Sequence, residues 1–236
     1  MPFIKIFETI LYQPLFNLLI LIYEFVPGKD FGVAVILLTI LTKLLFYPLG
    51  AQSIKAQRAF AKLEPKIKEL QEKHKNNKEQ QTKALMELYQ KEKINPLSGC
   101  LPLIIQLPIL IALYQVFWKG LDPSQMTYLY SFVPPPGVIK TMFLGLFDLK
   151  QPMIILALLA GITQFIQTKL AVPKNQIKKG KPTDFSQVFQ KQMLYLFPVF
   201  TVVILFKLPS AIGLYWTVNN IFSIIQQYFI FKKNNA

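Results

Sequence analysis

Twenty consecutive residues, Phe31 to Gly50, read FGVAVILLTILTKLLFYPLG and carry one charge, Lys43. A helix rises 1.5 Å per residue, so such a run covers about 30 Å, the thickness of a bilayer's hydrocarbon core. Apolar blocks return at about 97–118, 152–170 and 193–231. A soluble domain of this length keeps roughly a quarter or more of its surface in water, so these blocks cannot all hide in one aqueous core. The membrane is the solvent they suit. Composition agrees: 53% of the 236 residues are hydrophobic and 16% are charged, against about 45–50% and 25% in ordinary soluble domains. Twenty phenylalanines and ten tyrosines exclude a disordered chain, and the single Cys100 excludes a disulfide framework or a cysteine-built metal cluster.

The block at 97–118 is uncharged and ends on Trp118 and Lys119, an interfacial anchor. Pro102 and Pro108 within it are tolerated in bundled membrane helices, where neighbours re-satisfy the freed carbonyls. As one helix the last block would be about 58 Å long, twice a bilayer. Lys207-Leu208-Pro209-Ser210 breaks it, because proline removes an amide donor and disfavours helix at the residue before it. The expectation is an all-α polytopic protein with spans at 31–50, 97–118, 152–170, 193–207 and 208–231. Residues 3–26 are apolar but carry Lys5, Glu8, Gln13, Pro14, Asn17 and Glu24. They suit an amphipathic helix or a sixth crossing; for 1–30 the interface is expected. A signal peptide is disfavoured by the missing small-residue cleavage pattern.

The net charge of +14 is unevenly spread. Segments 51–96 and 169–192 and the tail at 232–236 hold nineteen basic residues on one side, whereas 1–30, the loop at 119–151 and the 207 turn hold six. By the positive-inside rule the N-terminus lies outside and the C-terminus in the cytoplasm. The basic surface then faces anionic lipid head groups, a simpler partner than nucleic acid, for which no specificity is expected. Within 51–96, Phe60, Leu63, Ile67 and Leu70 recur at helical spacing, Leu85 and Leu88 mark a second arm, and Asn76-Asn77 centres a turn between His74 and Lys78. This reads as a cytoplasmic antiparallel helical hairpin, kinked at Pro65. Its blander reading is a solvated charged surface without a partner. The segment 171–192 is a second cytoplasmic loop.

Catalytic chemistry has little to work with. His74 is the sole histidine, no phosphate loop or metal-spaced cluster occurs, and no carboxylate lies in the five expected spans. No enzyme activity and no cofactor are expected. Lys43 asks for an explanation, since a lysine near the bilayer centre costs about 2.5–3.5 kcal/mol and faces protein or water. Its ordinary alternative is snorkelling. Counted along the expected helices, Lys43, Gln106, Gln164 and Asn220 all fall about 16–18 Å from the outer surface. On the last span Trp216, Asn220, Ser223 and Gln227 follow at spacings of four, three and four, one helical stripe. Such amides can simply hold helices together. A lysine in the same layer without a carboxylate is better explained by a water-filled vestibule, open to the cytoplasm and blind toward the outside.

LLTILTKLLFYPL around Lys43, the charged hairpin, NPLSGCLPLIIQLPI at 95–109 and LPSAIGLYWTVNNIFSIIQQ at 208–227 resemble, in order and spacing, the YidC/Oxa/Alb membrane protein insertase family. The resemblance covers about residues 31–231. It implies five transmembrane helices around a hydrophilic groove open to cytoplasm and lipid, an interfacial N-terminal helix, and insertion of newly made membrane proteins without nucleotide hydrolysis. The family's basic groove residue, usually arginine, falls on Lys43; its groove tryptophan falls on Trp216, and a polar groove position on Gln164. Gln106, Asn220 and Ser223 complete the expected groove. Implied partners are nascent membrane protein clients, with a ribosome, targeting factors and a Sec-type channel beside them, in a bacterial cytoplasmic membrane. As it stands the sequence resembles the short bacterial class, without a large outer domain or a long basic tail. The rival readings are a small-solute transporter, which would show repeated halves, and a structural assembly subunit.

Overall fold

The computed structural model describes residues 2–92, 101–118, 122–171 and 192–233. The expectations on Cys100, on Lys119, on nearly all of the loop 171–192 and on the last tail residues lie outside these. The described chain is almost wholly helical. A first rod is built from α1 (Pro2–Phe7), one π turn (Glu8–Tyr12) and α2 (Gln13–Phe25). The π turn directly precedes Pro14, which has no N–H to return. The Gln13 amide reaches back to the Glu8 carbonyl, five residues away, and the helix continues through the proline. The same device recurs at Gln192–Leu196, ahead of Pro198.

Gly28 (φ 73°) and Lys29 (φ 52°) reverse the chain, the Lys29 ammonium pairing with Glu24 at 2.8 Å. Asp30 then caps α3 (Phe31–Leu45), its carboxylate accepting from the Val33 amide at 2.9 Å. The expected span 31–50 is not one straight helix. It ends at Leu45, and after Phe46 the chain bends by 68° into α4 (Tyr47–Lys73). Phe46 leaves the helix (φ −92°, ψ 11°), and Pro48, in the first turn of α4, has no N–H to return to Leu44, whose carbonyl its ring would crowd in a straight helix. Pro48, Leu49 and Gly50 thus open the next helix, which runs through Pro65 without ending.

A turn at His74–Asn77 leads to α5 (Lys78–Lys91), capped by the Asn77 side chain on the Gln80 amide. The two arms are tied by Gln81 Nε2 donating to the Gln71 carbonyl at 2.9 Å and by the Lys66–Glu92 ion pair. There follow α6 (Leu101–Trp118), α7 (Ile154–Ala171), α8 (Phe197–Leu205) and α9 (Ser210–Lys233). Sequence reading missed a miniature hairpin between α6 and α7: β1 (Met142–Phe143) pairs antiparallel with β2 (Phe147–Asp148) across a turn with Leu144 and Gly145 at positive φ.

Helix α9 runs through the middle, packed on α7 and α3, with α8 beyond α7 and α2 flanking α3. Gly213 lets α9 sit against Leu156. A Cβ at Gly161 would fall 2.3 Å from Val202 Cγ2 and 3.2 Å from the Pro198 carbonyl, so α7 and α8 meet backbone to backbone. The core gathers Phe16, Leu19, Ile20, Tyr23, Phe31, Val35, Leu38, Leu113, Val116 and Phe117. Outward, large apolar side chains stay exposed: Leu37, Leu41 and Leu44 on α3, Ile155, Leu158 and Ile162 on α7, Val199, Phe200 and Val203 on α8. Contiguous apolar surface of this extent marks a lipid-facing wall. By length and composition Ile4–Phe25 and Ile154–Ala171 can each cross a membrane, and the bent pair makes a third candidate.

Candidate functional site

The bend at Phe46 brings the start of the hairpin against α9. Gln226 Nε2 donates to the Tyr47 carbonyl at 3.1 Å, and Gly50 gives it room, since a Cβ there would stand 3.1 Å from the same nitrogen. Between α3, α4, α6, α7 and α9 this leaves a cavity of about 110 Å³, bordered by Lys43, Ser53, Gln57, Gln106, Gln167 and Gln227 among others. That is room for several waters. Helices α3, α4 and α7 contribute from the parts nearest the hairpin, and α9 contributes Ser223, Gln226 and Gln227 from its hairpin-side half and Tyr215 from the other. At the opposite end the loop between α6 and α7 closes the bundle: Leu149 and Gln151 carbonyls accept from the first amides of α9 at 3.1 Å.

Lys43 Nζ donates to Ser223 Oγ at 2.8 Å and lies 5.7 Å from the centre of the Phe222 ring. Ser223 Oγ in turn donates a hydrogen bond to the Asn219 carbonyl one turn back, at 2.8 Å. Both partners of the ammonium are neutral, and no carboxylate pairs with it among the described residues. An ammonium has three protons to give, and Lys43 is among the residues that line the cavity. Gln106 Nε2 donates to the hydroxyl of Tyr215, which is buried.

Of the residues expected to form the site, Lys43, Gln106 and Ser223 therefore border one cavity. The other three lie elsewhere. Asn220 turns toward α7, its amide donating to the Ala160 carbonyl and Thr163 Oγ1, both at 3.2 Å. Gln164 is buried on α7 with its Oε1 unpartnered. Trp216 is half-buried and packs on the apolar core. Sequence reasoning missed Ser53, Gln57, Gln167, Tyr215 and Gln226. A signal existed for the first two: Gly50, Ser53 and Gln57 follow at spacings of three and four, one face of α4. That face read as soluble because the span was taken to run straight on to Gly50.

Two of the five unpartnered buried side-chain atoms among the described residues border the cavity. Ser53 Oγ and Gln227 Oε1 border the cavity, and Gln164 Oε1 and Asn219 Oδ1 lie on its flanking helices, while Ser210 Oγ lies at the far end of α9. Leaving a buried polar atom unpaired costs about 1–3 kcal/mol. The arrangement can hydrate a cation below the protein surface and accept hydrogen bonds from whatever enters. Among the described residues it offers no group of His, Cys, Asp and Glu ligands for a metal.

Residues 21–236 match the model of the 60Kd inner membrane protein family. The chain is 38% identical over 204 residues to a protein of Magnetococcus marinus, covering 86% of this chain and 33% of that one. It is 37% identical to one from Methylococcus capsulatus, covering 97% and 38%, and 34% identical to one from Fusobacterium nucleatum, covering 86% and 87%. All three carry the name membrane protein insertase YidC. The chain thus spans about a third of the first, somewhat more of the second and most of the third. A family match over nearly the whole sequence, together with a relative of similar length, places this chain in the 60Kd inner membrane protein family.

Proposed function

We propose that the chain is a membrane protein insertase of a bacterial cytoplasmic membrane. One observation carries the reading: the Lys43 ammonium has only neutral partners and borders a polar cavity in the hairpin-side half of a bundle whose outer wall is apolar. A client's polar tail must pass hydrocarbon, where each charge costs kilocalories. A wet recess reaching into the membrane shortens that path. Lys43 attracts acidic residues in the tail, and a potential positive outside draws each negative charge outward with about 2.3 kcal/mol per 100 mV. The client's apolar segment then moves into lipid, driven by the hydrophobic effect, and no nucleotide is consumed.

The accompanying layout is five crossings at 31–50, 97–118, 152–170, 193–207 and 208–231, the first bent at its inner end, with the hairpin and the C-terminus in the cytoplasm. The nineteen-to-six distribution of basic residues supports this orientation. An interfacial N-terminal rod is supported by the polar α6–α7 loop lying along it: Tyr12 donates to Gln125, Asn17 to the Tyr128 carbonyl, and the Lys140 amide donates to Tyr23. Had the rod crossed, that charged loop would be drawn into lipid with it. The exposed basic hairpin suits nascent clients with their targeting factors, a ribosome or a Sec-type channel, and anionic lipid beneath it.

The test is insertion into vesicles carrying the purified chain and an imposed potential. Lys43→Arg inserts clients with acidic tails normally, and Lys43→Glu slows them roughly tenfold or more, as expected for a like charge a few ångströms away at intermediate dielectric. Normal insertion by Lys43→Glu would sink the electrostatic step. Absence of any insertion by the unaltered chain would favour a structural subunit.

A further inference from the structure

The cavity holds a second set of groups that the attraction of charge leaves unused. Ser53 is 3% exposed and Gln227 1%, both border the cavity, and Ser53 Oγ and Gln227 Oε1 have no hydrogen-bond partner. The neighbouring Gln226 is tied to the Tyr47 carbonyl, and the close approach that fixes it depends on the missing side chain of Gly50. Two buried oxygens kept unpaired beside a cavity call for a donor from outside.

The chemistry of the cavity narrows which donor. A client lysine or arginine brings N–H groups but meets the positive charge of Lys43 in the same space. An aspartate or glutamate brings no donor at all. Hydroxyl, amide and indole side chains carry donors at some client residues only, whereas the main-chain N–H is present at every residue but proline and is itself in need of an acceptor as the segment leaves water. We propose that Ser53 and Gln227 form a main-chain subsite that accepts backbone N–H groups of an extended client segment, whatever its side chains. This rests on the insertase reading and deepens it: Lys43 selects by charge, whereas Ser53 and Gln227 hold any polypeptide.

The experiment uses the full chain in vesicles and semisynthetic single-span clients with neutral or acidic tails, in ordinary form and with tail amides replaced by esters, which lack the N–H. With the unaltered protein, ester tails insert roughly fivefold to tenfold more slowly than amide tails, as expected for losing one or two hydrogen bonds. Gln227→Met combined with Ser53→Ala slows amide tails by a similar factor, neutral and acidic alike, and abolishes the difference between amide and ester. That loss of difference is the coupling a double-mutant cycle reads. Equal insertion of amide and ester tails by the unaltered protein overturns the subsite even if the variant fails to fold. An ester penalty that persists in the folded variant overturns it too, and means that the oxygens bind water only. If the unaltered protein inserts no client, the insertase reading has failed, and with it this one; if it inserts clients without regard to esters, only the subsite has.

Discussion

The two ends of the bundle use the same residue types to opposite effect. At the loop end, Asn17 donates to the carbonyls of Gln13 and Tyr128 and accepts from the Tyr130 amide at 2.7 Å. Asp30 caps α3 and also accepts from the Leu144 amide, fixing a leucine at positive φ. The Phe143 ring lies where a side chain on Gly32 would be. Toward the hairpin, Ser53 and Gln227 at the cavity and Gln164 on a helix flanking it keep an oxygen without a partner, against Ser210 at the loop end. A buried amide rigidifies when satisfied and is available to a ligand when not. One end is built as a closure, the other as a receptor, and removing polar groups should therefore have opposite consequences at the two.

The largest effect is expected from Asn17→Leu, which leaves the Tyr130 amide unpaired in the closed end. Stability falls by about 3 kcal/mol, read as a lower melting temperature in detergent. Gly161→Ala sets the scale for simple packing: its Cβ collides with Val202 and cannot displace the Pro198 carbonyl, so thermal unfolding shows a loss of about 2 kcal/mol. Gln164→Leu should do the reverse. It removes an unpartnered oxygen, and the same melt rises by the equivalent of about 1 kcal/mol. If Gln164→Leu destabilises as Asn17→Leu does, the contrast between the ends is wrong. The smallest effect concerns acid. In the loop, the Ser124 amide donates to the exposed Asp122 carboxylate at 2.8 Å and holds it below the ordinary carboxylate value. The turn it caps is therefore intact above the ordinary value and is lost only as pH falls through the lowered one. The Ser124 amide resonance, followed by NMR on acidification, reports the midpoint.

The apolar blocks were legible in the sequence because hydrophobic runs have only one economical solvent. Lys43, Gln106 and Ser223 were legible because each interrupts such a run. Rotation about the helix axis was not. Tyr215 and Trp216 are about 100° apart on α9, and only packing against the neighbouring helices decides that Tyr215 is buried in the core and reaches Gln106 while Trp216 packs against that core half-buried. The same ambiguity covers Asn220, whose depth was readable but whose bond to the Ala160 carbonyl was not. Ser53 and Gln57 escaped notice for a different reason. Pro48 signals a break, but a proline states neither the angle of a bend nor what the bend folds back upon, and here it returns the hairpin's first turns to the cavity.

The corner at Phe46 gives α4 the form of a crank. Its 27 residues make an arm about 40 Å long from His74 back to Tyr47, and the short end of that arm is pinned to α9 by Gln226. A sideways load of modest size at the tip is delivered to the fulcrum as a larger force on one carbonyl. A load at the tip of the hairpin therefore has mechanical purchase on the cavity wall about 40 Å away.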